Sequence, residues 1–262
     1  MKETSYLSFL TNFFLQYKNI IYLSYIDNKL KYRRTLLGPL WNSLAQLITI
    51  ILLSLVWSEI FKMNLEDYLP RLYVGMTCFG LATYYTSSAT SIVFGQYAAY
   101  FQNLNVNLSV IYGRFLCTSI INYLHAIPIY ILIFLFFGKT LDGKSLFFFL
   151  GLTLVFLNGI WMSFIISCLC ARFRDLAPLI ESVMAAAGLI TPILWDKNLL
   201  GANAHLVYFN PFTSFVESMR DPLLGYPINY NVYLYLTIFL VFGNILTYFF
   251  YKHKRKILPF WI

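Results

Sequence analysis

Six long apolar runs, each about as long as a helix that crosses a hydrocarbon layer, constrain this chain more than any other feature. Crossing takes about 20 mostly apolar residues. Leu36–Phe61, Leu72–Val93, Ile111–Phe137, Leu146–Cys170, Leu176–Trp195 and Tyr230–Tyr251 all qualify. Charged residues are 11% of the chain, against roughly 25% in soluble domains. A water-soluble fold of 262 residues cannot hide that much apolar surface, so lipid is the solvent for much of it. Trp41, Trp57 and Trp195 sit near the ends of runs, as interfacial anchors do. The expectation is an all-α membrane protein with six transmembrane helices. Glu181, between Pro178 and Pro192, makes the fifth run the least regular.

The net charge of +8 does not indicate nucleic acid, because the basic residues cluster between apolar runs, where they set orientation. A cytoplasmic N-terminus places thirteen Lys and Arg inside and six outside. Both termini are therefore expected in the cytoplasm, with Lys29–Arg34 and Lys252–Lys256 on the same side. Met1–Gln16 lacks the apolar core and cleavage site of a signal peptide. Tyr6, Phe9, Leu10, Phe13, Phe14, Tyr17, Ile20 and Ile21 instead recur at helical spacing and predict an amphipathic helix lying in the cytoplasmic interface. Gly95–Asn107, polar and uncharged, reads as a short cytoplasmic helix or loop. Asp196–Asn229, with Pro211, Pro222 and Pro227, reads as a long external segment, and loops of that length usually have a function. No internal repeat or low-complexity linker divides the chain, so residues 1–262 form one domain. Its parts are a basic interface segment (1–34), a six-span region (36–251) and a tail (252–262).

No cofactor or metal is expected on the chain itself. Cys168-x-Cys170 has no His or carboxylate at ligand spacing, and Cys78 and Cys117 lie in apolar runs. Gly138-Lys139-Thr140 suggests a phosphate-binding loop, but that motif needs a glycine five residues before its Gly, where this chain has Ile133. No other glycine-rich phosphate cradle is present, so an energy source must come from elsewhere.

Several motifs occur together in order. Asp27-Asn28-Lys29-Leu30-Lys31-Tyr32-Arg33-Arg34-Thr35-Leu36-Leu37-Gly38-Pro39-Leu40-Trp41 precedes and opens the first run. Arg114 and His125 follow in the third, and Ala171-Arg172-Phe173-Arg174-Asp175-Leu176 follows the fourth. Thr191-Pro192-Ile193-Leu194-Trp195, Asn210-Pro211-Phe212 and Arg220-Asp221-Pro222-Leu223-Leu224-Gly225 come before the sixth, and the chain ends Pro259-Phe260-Trp261-Ile262. In this order, over nearly the whole chain, they resemble ABC-2 permeases that export O-antigen and related polysaccharides. Phe260 stands where Tyr is usual.

That resemblance implies a homodimer in the bacterial inner membrane, joined to two ATP-binding subunits that hold the ATP and Mg²⁺. It implies a channel for a lipid-linked polysaccharide at the dimer interface, and a transport role rather than an enzymatic one. Carried onto this chain, the interface helix is Tyr6–Tyr25, and Leu37, Gly38 and Pro39 form the loop guarding lateral access of the lipid. Gly95–Asn107, with Gln96, Tyr97, Tyr100, Phe101 and Gln102, couples to the ATPase. Short re-entrant helices within about Asp196–Gly225 form an external gate. Capsule or teichoic-acid export shares this fold. A membrane enzyme acting on lipid-linked glycans is the rival from another class, but His205 and Arg220 offer little for glycosyl transfer.

The residues give these roles physical content. A lipid diphosphate is a concentrated anion, for which Arg33, Arg34, Arg172 and Arg174 are suitable planar forks; the same arginines also serve as orientation anchors. Thr77, Thr83, Tyr84, Tyr85, Thr86, Ser87, Ser88, Thr90 and Ser91 crowd the second run. They suit either a path for a hydroxyl-rich polymer or small-residue packing between helices. Glu181 is a carboxylate within a span, facing the channel or pairing with Arg174, and His125 reads as a polar contact between helices. Tags at Asp142 and Asn203 are expected to label from outside, and tags at Gln102 and the C-terminus only from inside. External labelling at Gln102 would overturn the six-span order.

Overall fold

The computed structural model describes residues 5–95, 97–101 and 107–254; Gln96, Gln102 and the Pro259–Ile262 ending lie outside the described residues. Every regular element among them is helical. The N-terminal helix forms in two pieces, α1 (Tyr6–Leu15) and α2 (Tyr17–Lys31), separated at Gln16. A reciprocal cap starts α1: the Ser8 amide donates to Ser5 Oγ, and the Ser5 amide donates to Ser8 Oγ. Only part of the predicted stripe turns inward. Tyr6, Phe9, Phe13 and Ile20 are buried, whereas Phe14, Tyr17 and Ile21 are exposed. The helix thus packs on the bundle with one edge and presents a second apolar edge outward.

After the Arg33–Pro39 loop come α3 (Leu40–Phe61) and α4 (Leu65–Thr86), joined by a tight turn in which Lys62 takes a left-handed conformation. A short α5 (Ala98–Phe101) precedes α6 (Leu108–Leu124) and α7 (Ile127–Phe136). Pro128 cannot donate a backbone hydrogen bond, and the third apolar run accordingly divides at His125–Ala126. The chain continues through α8 (Phe147–Arg172), α9 (Leu176–Ile190), α10 (Pro211–Leu223) and α11 (Tyr230–Lys254).

Four stretches are long and apolar enough to cross a membrane: Leu40–Phe61, Leu108–Phe136, Gly143–Arg172 and Tyr230–His253. The second and fifth expected spans differ. α4 has the length but carries Glu66, Asp67 and Arg71 in its first two turns, along with many hydroxyls. α9 stops at Ile190, five residues before the expected end, because a residue preceding proline is driven to extended backbone and Thr191 adopts it (φ −66°, ψ 132°). Its 15 residues give a helix of about 22 Å against a hydrocarbon core of about 30 Å.

The core is built around α4 and α8. From Tyr68 to Thr86, α4 is buried at most positions, enclosed by α3, α6, α7, α8, α9 and α10. Several of its hydroxyls are bonded within the subunit, although that of Tyr73 is buried with no partner among the described residues. Thr77 pairs with Tyr130, Ser119 bonds the Tyr85 hydroxyl at 3.0 Å, and Thr86 donates to its own helix. Asn158 of α8 joins α11 through the Leu236 carbonyl at 3.2 Å and accepts from the Trp161 indole at 2.9 Å. Such polar pairs hold helices together where surrounding lipid gives no hydrophobic drive. Close approach of α4 and α8 depends on Gly159, where an added Cβ would lie 2.8 Å from the Tyr85 ring. Gly159→Ala is expected to cost about 1–3 kcal/mol by overpacking and to lower the thermal midpoint of the detergent-purified protein. An unchanged midpoint would show that this contact is slack.

Candidate functional site

Two polar regions stand out against the apolar body. At one end, Arg71, near the start of α4, is 5% exposed. Its guanidinium donates to Asp196 Oδ2 at 2.5 Å and to the Trp195 carbonyl at 3.1 Å. Arg220 of α10, 4% exposed, donates to the Pro192 carbonyl at 2.7 Å and to Asp221 Oδ1 at 2.9 Å. Glu217, one turn away, accepts from Lys197 at 2.7 Å and from the Tyr208 hydroxyl at 2.8 Å. Asn210 caps α10 through the Phe212 amide and also donates to Thr191 Oγ1 at 2.8 Å. The Thr191–Trp195, Asn210–Phe212 and Arg220–Gly225 motifs thus form one network around a 13-residue helix buried from Thr213 to Pro222.

Burial alone would raise the Asp196 carboxyl, but the Asn198 amide and the Arg71 guanidinium outweigh it and hold it below its ordinary value. Burial alone would lower the Lys197 ammonium, yet bonds from Glu217 and Tyr208 hold it above. Both groups are therefore charged at neutral pH.

At the other end, Gly38 adopts φ +58°, a left-handed conformation that glycine enters without a Cβ penalty. This makes Leu37-Gly38-Pro39 a true reversal into α3. Arg33 and Arg34 before it are exposed, with no side-chain partner among the described residues, and Leu36 is 97% exposed. Arg174 lies over the Phe94 ring at 4.5 Å and Arg172 over Phe173 at 5.3 Å. Tyr97 is buried, Phe101 is half-buried and Tyr100 is exposed. Arg114 of α6 donates to both Asp27 oxygens, at 3.0 and 2.7 Å, while its guanidinium lies 4.6 Å from the centre of the Tyr100 ring.

Between these ends a groove of about 180 Å³ opens among α3, α4 and α6, lined by Asn42, Gln46, Thr77, Tyr84, Asn122 and Tyr123 with their neighbours. The Asn122 side-chain oxygen is buried there with no partner among the described residues. Of the residues proposed to line a channel, Tyr84 reaches this groove, Tyr85 and Thr86 turn into the subunit, Ser87 is half-buried and Ser88 is exposed. Glu181 is exposed on α9, and Arg174 makes its ring contact elsewhere. His125 bonds the Ile121 carbonyl of its own helix at 2.6 Å, not a neighbouring helix.

Sequence reasoning missed the Asp27–Arg114 pair. The available signal was a single acid in a basic cluster and a single arginine in an apolar run, each without a local counter-charge.

Helices of this length and apolar character define a multi-span membrane protein. The sequence pattern of the ABC-2 type transporter family matches residues 18–224, and the chain belongs to that family. It is similar to two proteins named O-antigen export system permease protein RfbA, both from Klebsiella pneumoniae. One is 23% and the other 22% identical over 240 residues, covering 84% of this chain and 85% of each relative.

The ion pairs range from buried Arg220–Asp221 to partly exposed Lys139–Asp67. Arg220→Met leaves Glu217 and Asp221 buried beside an apolar side chain and is expected to destabilise by about 3–5 kcal/mol. Lys139→Met removes a partly exposed pair with Asp67 and is expected to cost no more than about 1 kcal/mol. Membrane abundance and thermal midpoints of the two variants check this, and equal losses would refute the distinction.

Proposed function

We propose that this chain is the channel-forming subunit of an ABC exporter that moves undecaprenyl-diphosphate-linked O-antigen across the bacterial inner membrane. It acts as a homodimer with two ATP-binding subunits, which bring ATP and Mg²⁺. The observation that carries this reading is the groove among α3, α4 and α6, into which Asn42, Gln46, Tyr84 and Asn122 bring polar side chains. Carboxamides and a phenol there suit a neutral, hydroxyl-rich polymer, and they occur in a chain similar to named O-antigen export permeases over most of its length.

In this reading α3, α4, α6–α7, α8, α9 and α11 cross the membrane, and the even number returns both termini to the cytoplasm. α9, about 22 Å long, crosses only together with the Thr191–Trp195 stretch that follows it, whereas α10, about 20 Å long and carrying Glu217, Arg220 and Asp221, does not cross. With the preceding Lys197–Phe209 turns it enters the outer leaflet and returns, forming the external gate. Tyr97, Tyr100 and Phe101, in the polar segment with Gln96 and Gln102, meet the ATPase. Arg33 and Arg34 draw the lipid diphosphate toward the Leu37-Gly38-Pro39 turn, and Arg172 and Arg174 are the next phosphate partners. Tyr84, Ser87, Ser88 and Glu181 line the conduit, completed by the second copy.

The arginines supply the test. Arg33→Lys with Arg34→Lys keeps the charge that sets topology but loses the planar fork for phosphate. Binding of the lipid-linked precursor is expected to weaken about tenfold to a hundredfold, equal to about 1.5–3 kcal/mol, with export falling at normal membrane abundance. Wild-type binding and export would return these two residues to the role of topology anchors.

A further inference from the structure

We propose that Arg114 is a positioning residue that relays movement from the Tyr97–Phe101 segment to the N-terminal helix and so to the Gly38 turn. The inference rests on the reading that this segment meets the ATPase.

Its basis is the set of partners gathered by one side chain. Arg114 projects from α6, and its side chain is 6% exposed. One edge of the guanidinium grips Asp27 of α2 by two bonds, Nε to Oδ2 at 3.0 Å and Nη2 to Oδ1 at 2.7 Å. Its other contacts are aromatic, with the Tyr100 ring centre 4.6 Å away and that of Tyr97 5.3 Å away. Tyr97 is 1% exposed, so its ring is wedged rather than resting on the surface. Three segments, α2, α6 and Tyr97–Tyr100, thus meet at one guanidinium.

α2 is a suitable lever. It packs tightly along α6: Ser24 Oγ donates to the Arg114 carbonyl at 3.2 Å, and a Cβ on Gly113 would fall 2.6 Å from Ile20. Asp27 stands one turn before the end of α2 at Lys31, after which the chain runs through Arg33 and Arg34 into the left-handed Gly38. A displacement of Asp27 therefore passes to the Leu37–Pro39 turn through about ten residues of chain.

Neutralising one half-buried acid does not require this arrangement. A point charge would satisfy Asp27 equally well, and apolar residues often replace a buried pair without loss. A two-point fork has a fixed orientation, however, and a planar cation stacked on rings resists being turned out of their plane. Movement of the tyrosines thus reorients the fork, and the fork carries Asp27 with it. Lysine would keep the attraction and lose the direction, since an ammonium pivots on a flexible stem.

The experiment uses the full complex with its ATPase in proteoliposomes and reads polysaccharide exported per ATP hydrolysed. For Arg114→Lys we expect complex abundance and ATP hydrolysis near wild type, with the export ratio down about tenfold, in the usual range of coupling between sites. Asp27→Asn should lower the ratio in the same way, and the double variant should be no worse than Arg114→Lys alone, as expected of residues acting through one contact. A purely structural role would reduce the amount of complex and leave the ratio at wild type, and that result overturns the relay. If Arg114→Lys does not accumulate, Asp27→Asn and Tyr100→Leu are read for the same ratio, and wild-type values in both also overturn it. Ala99→Cys, on the exposed side of α5, tests the underlying contact separately. A crosslink to the ATPase with an unchanged ratio defeats the relay alone, whereas no crosslink defeats the coupling contact and the relay with it.

Discussion

Arg71, Arg114 and Arg220 are each at most 5% exposed, and much of the architecture follows from what each must find. A guanidinium without a partner in a lipid-facing bundle costs several kcal/mol, so its counter-charge or carbonyl has to be delivered by the fold. For Arg71 and Arg114 that partner comes from more than 80 residues away in sequence. Arg71 fixes the Trp195–Asp196 corner to α4, Arg220 fixes the Pro192 carbonyl to α10, and Arg114 fixes α2 to α6. Elements too short to stand alone in a membrane, α9 and α10 above all, gain their positions from these pairs rather than from length.

The central place of α4 has the same logic. A helix facing lipid must be apolar around its circumference, but a helix enclosed by protein can carry hydroxyls if each finds an acceptor. Thr77, Thr86 and Thr90 return theirs to carbonyls of the same stretch of chain, and the Tyr85 hydroxyl meets Ser119. The polarity of this helix therefore has two causes. Tyr85 and Thr86 belong to packing within the subunit, and Tyr84 belongs to the groove.

The all-helical fold was legible because apolar runs of membrane length leave few alternatives, and four of the six recur as helices that could cross. The ends were less legible, because local backbone chemistry decided them. Pro192 cut α9 short, and Pro128 divided the third run. The Gly38 turn could be read from its residues, since Gly-Pro favours a reversal and φ is +58° there. The Asp27–Arg114 and Arg71–Asp196 pairs could not, because periodicity carries no information about which distant segments meet. A lone charge in an apolar run says that a partner exists without naming it.

What remains at the surface of the single subunit bears on how it is completed. Lipid can cover the exposed apolar faces of α3, α7 and α11, where Leu52, Leu135, Phe136 and Phe242 point outward. It cannot cover Asn42 on α3, Ser88 just after α4 or Glu181 on α9, all exposed, nor Gln46, which lines the groove. Exposing these groups to hydrocarbon would cost a few kcal/mol each. They therefore require either water or polar protein beside them. The second copy of the proposed homodimer would supply both at once by enclosing a wet conduit. In that arrangement the groove, the Glu181 face of α9 and the Arg33–Arg34 loop need not be filled by the chain itself. Under the proposed function they are the surfaces left for the polymer and its anionic anchor, while the buried arginines hold the neighbouring helices in place.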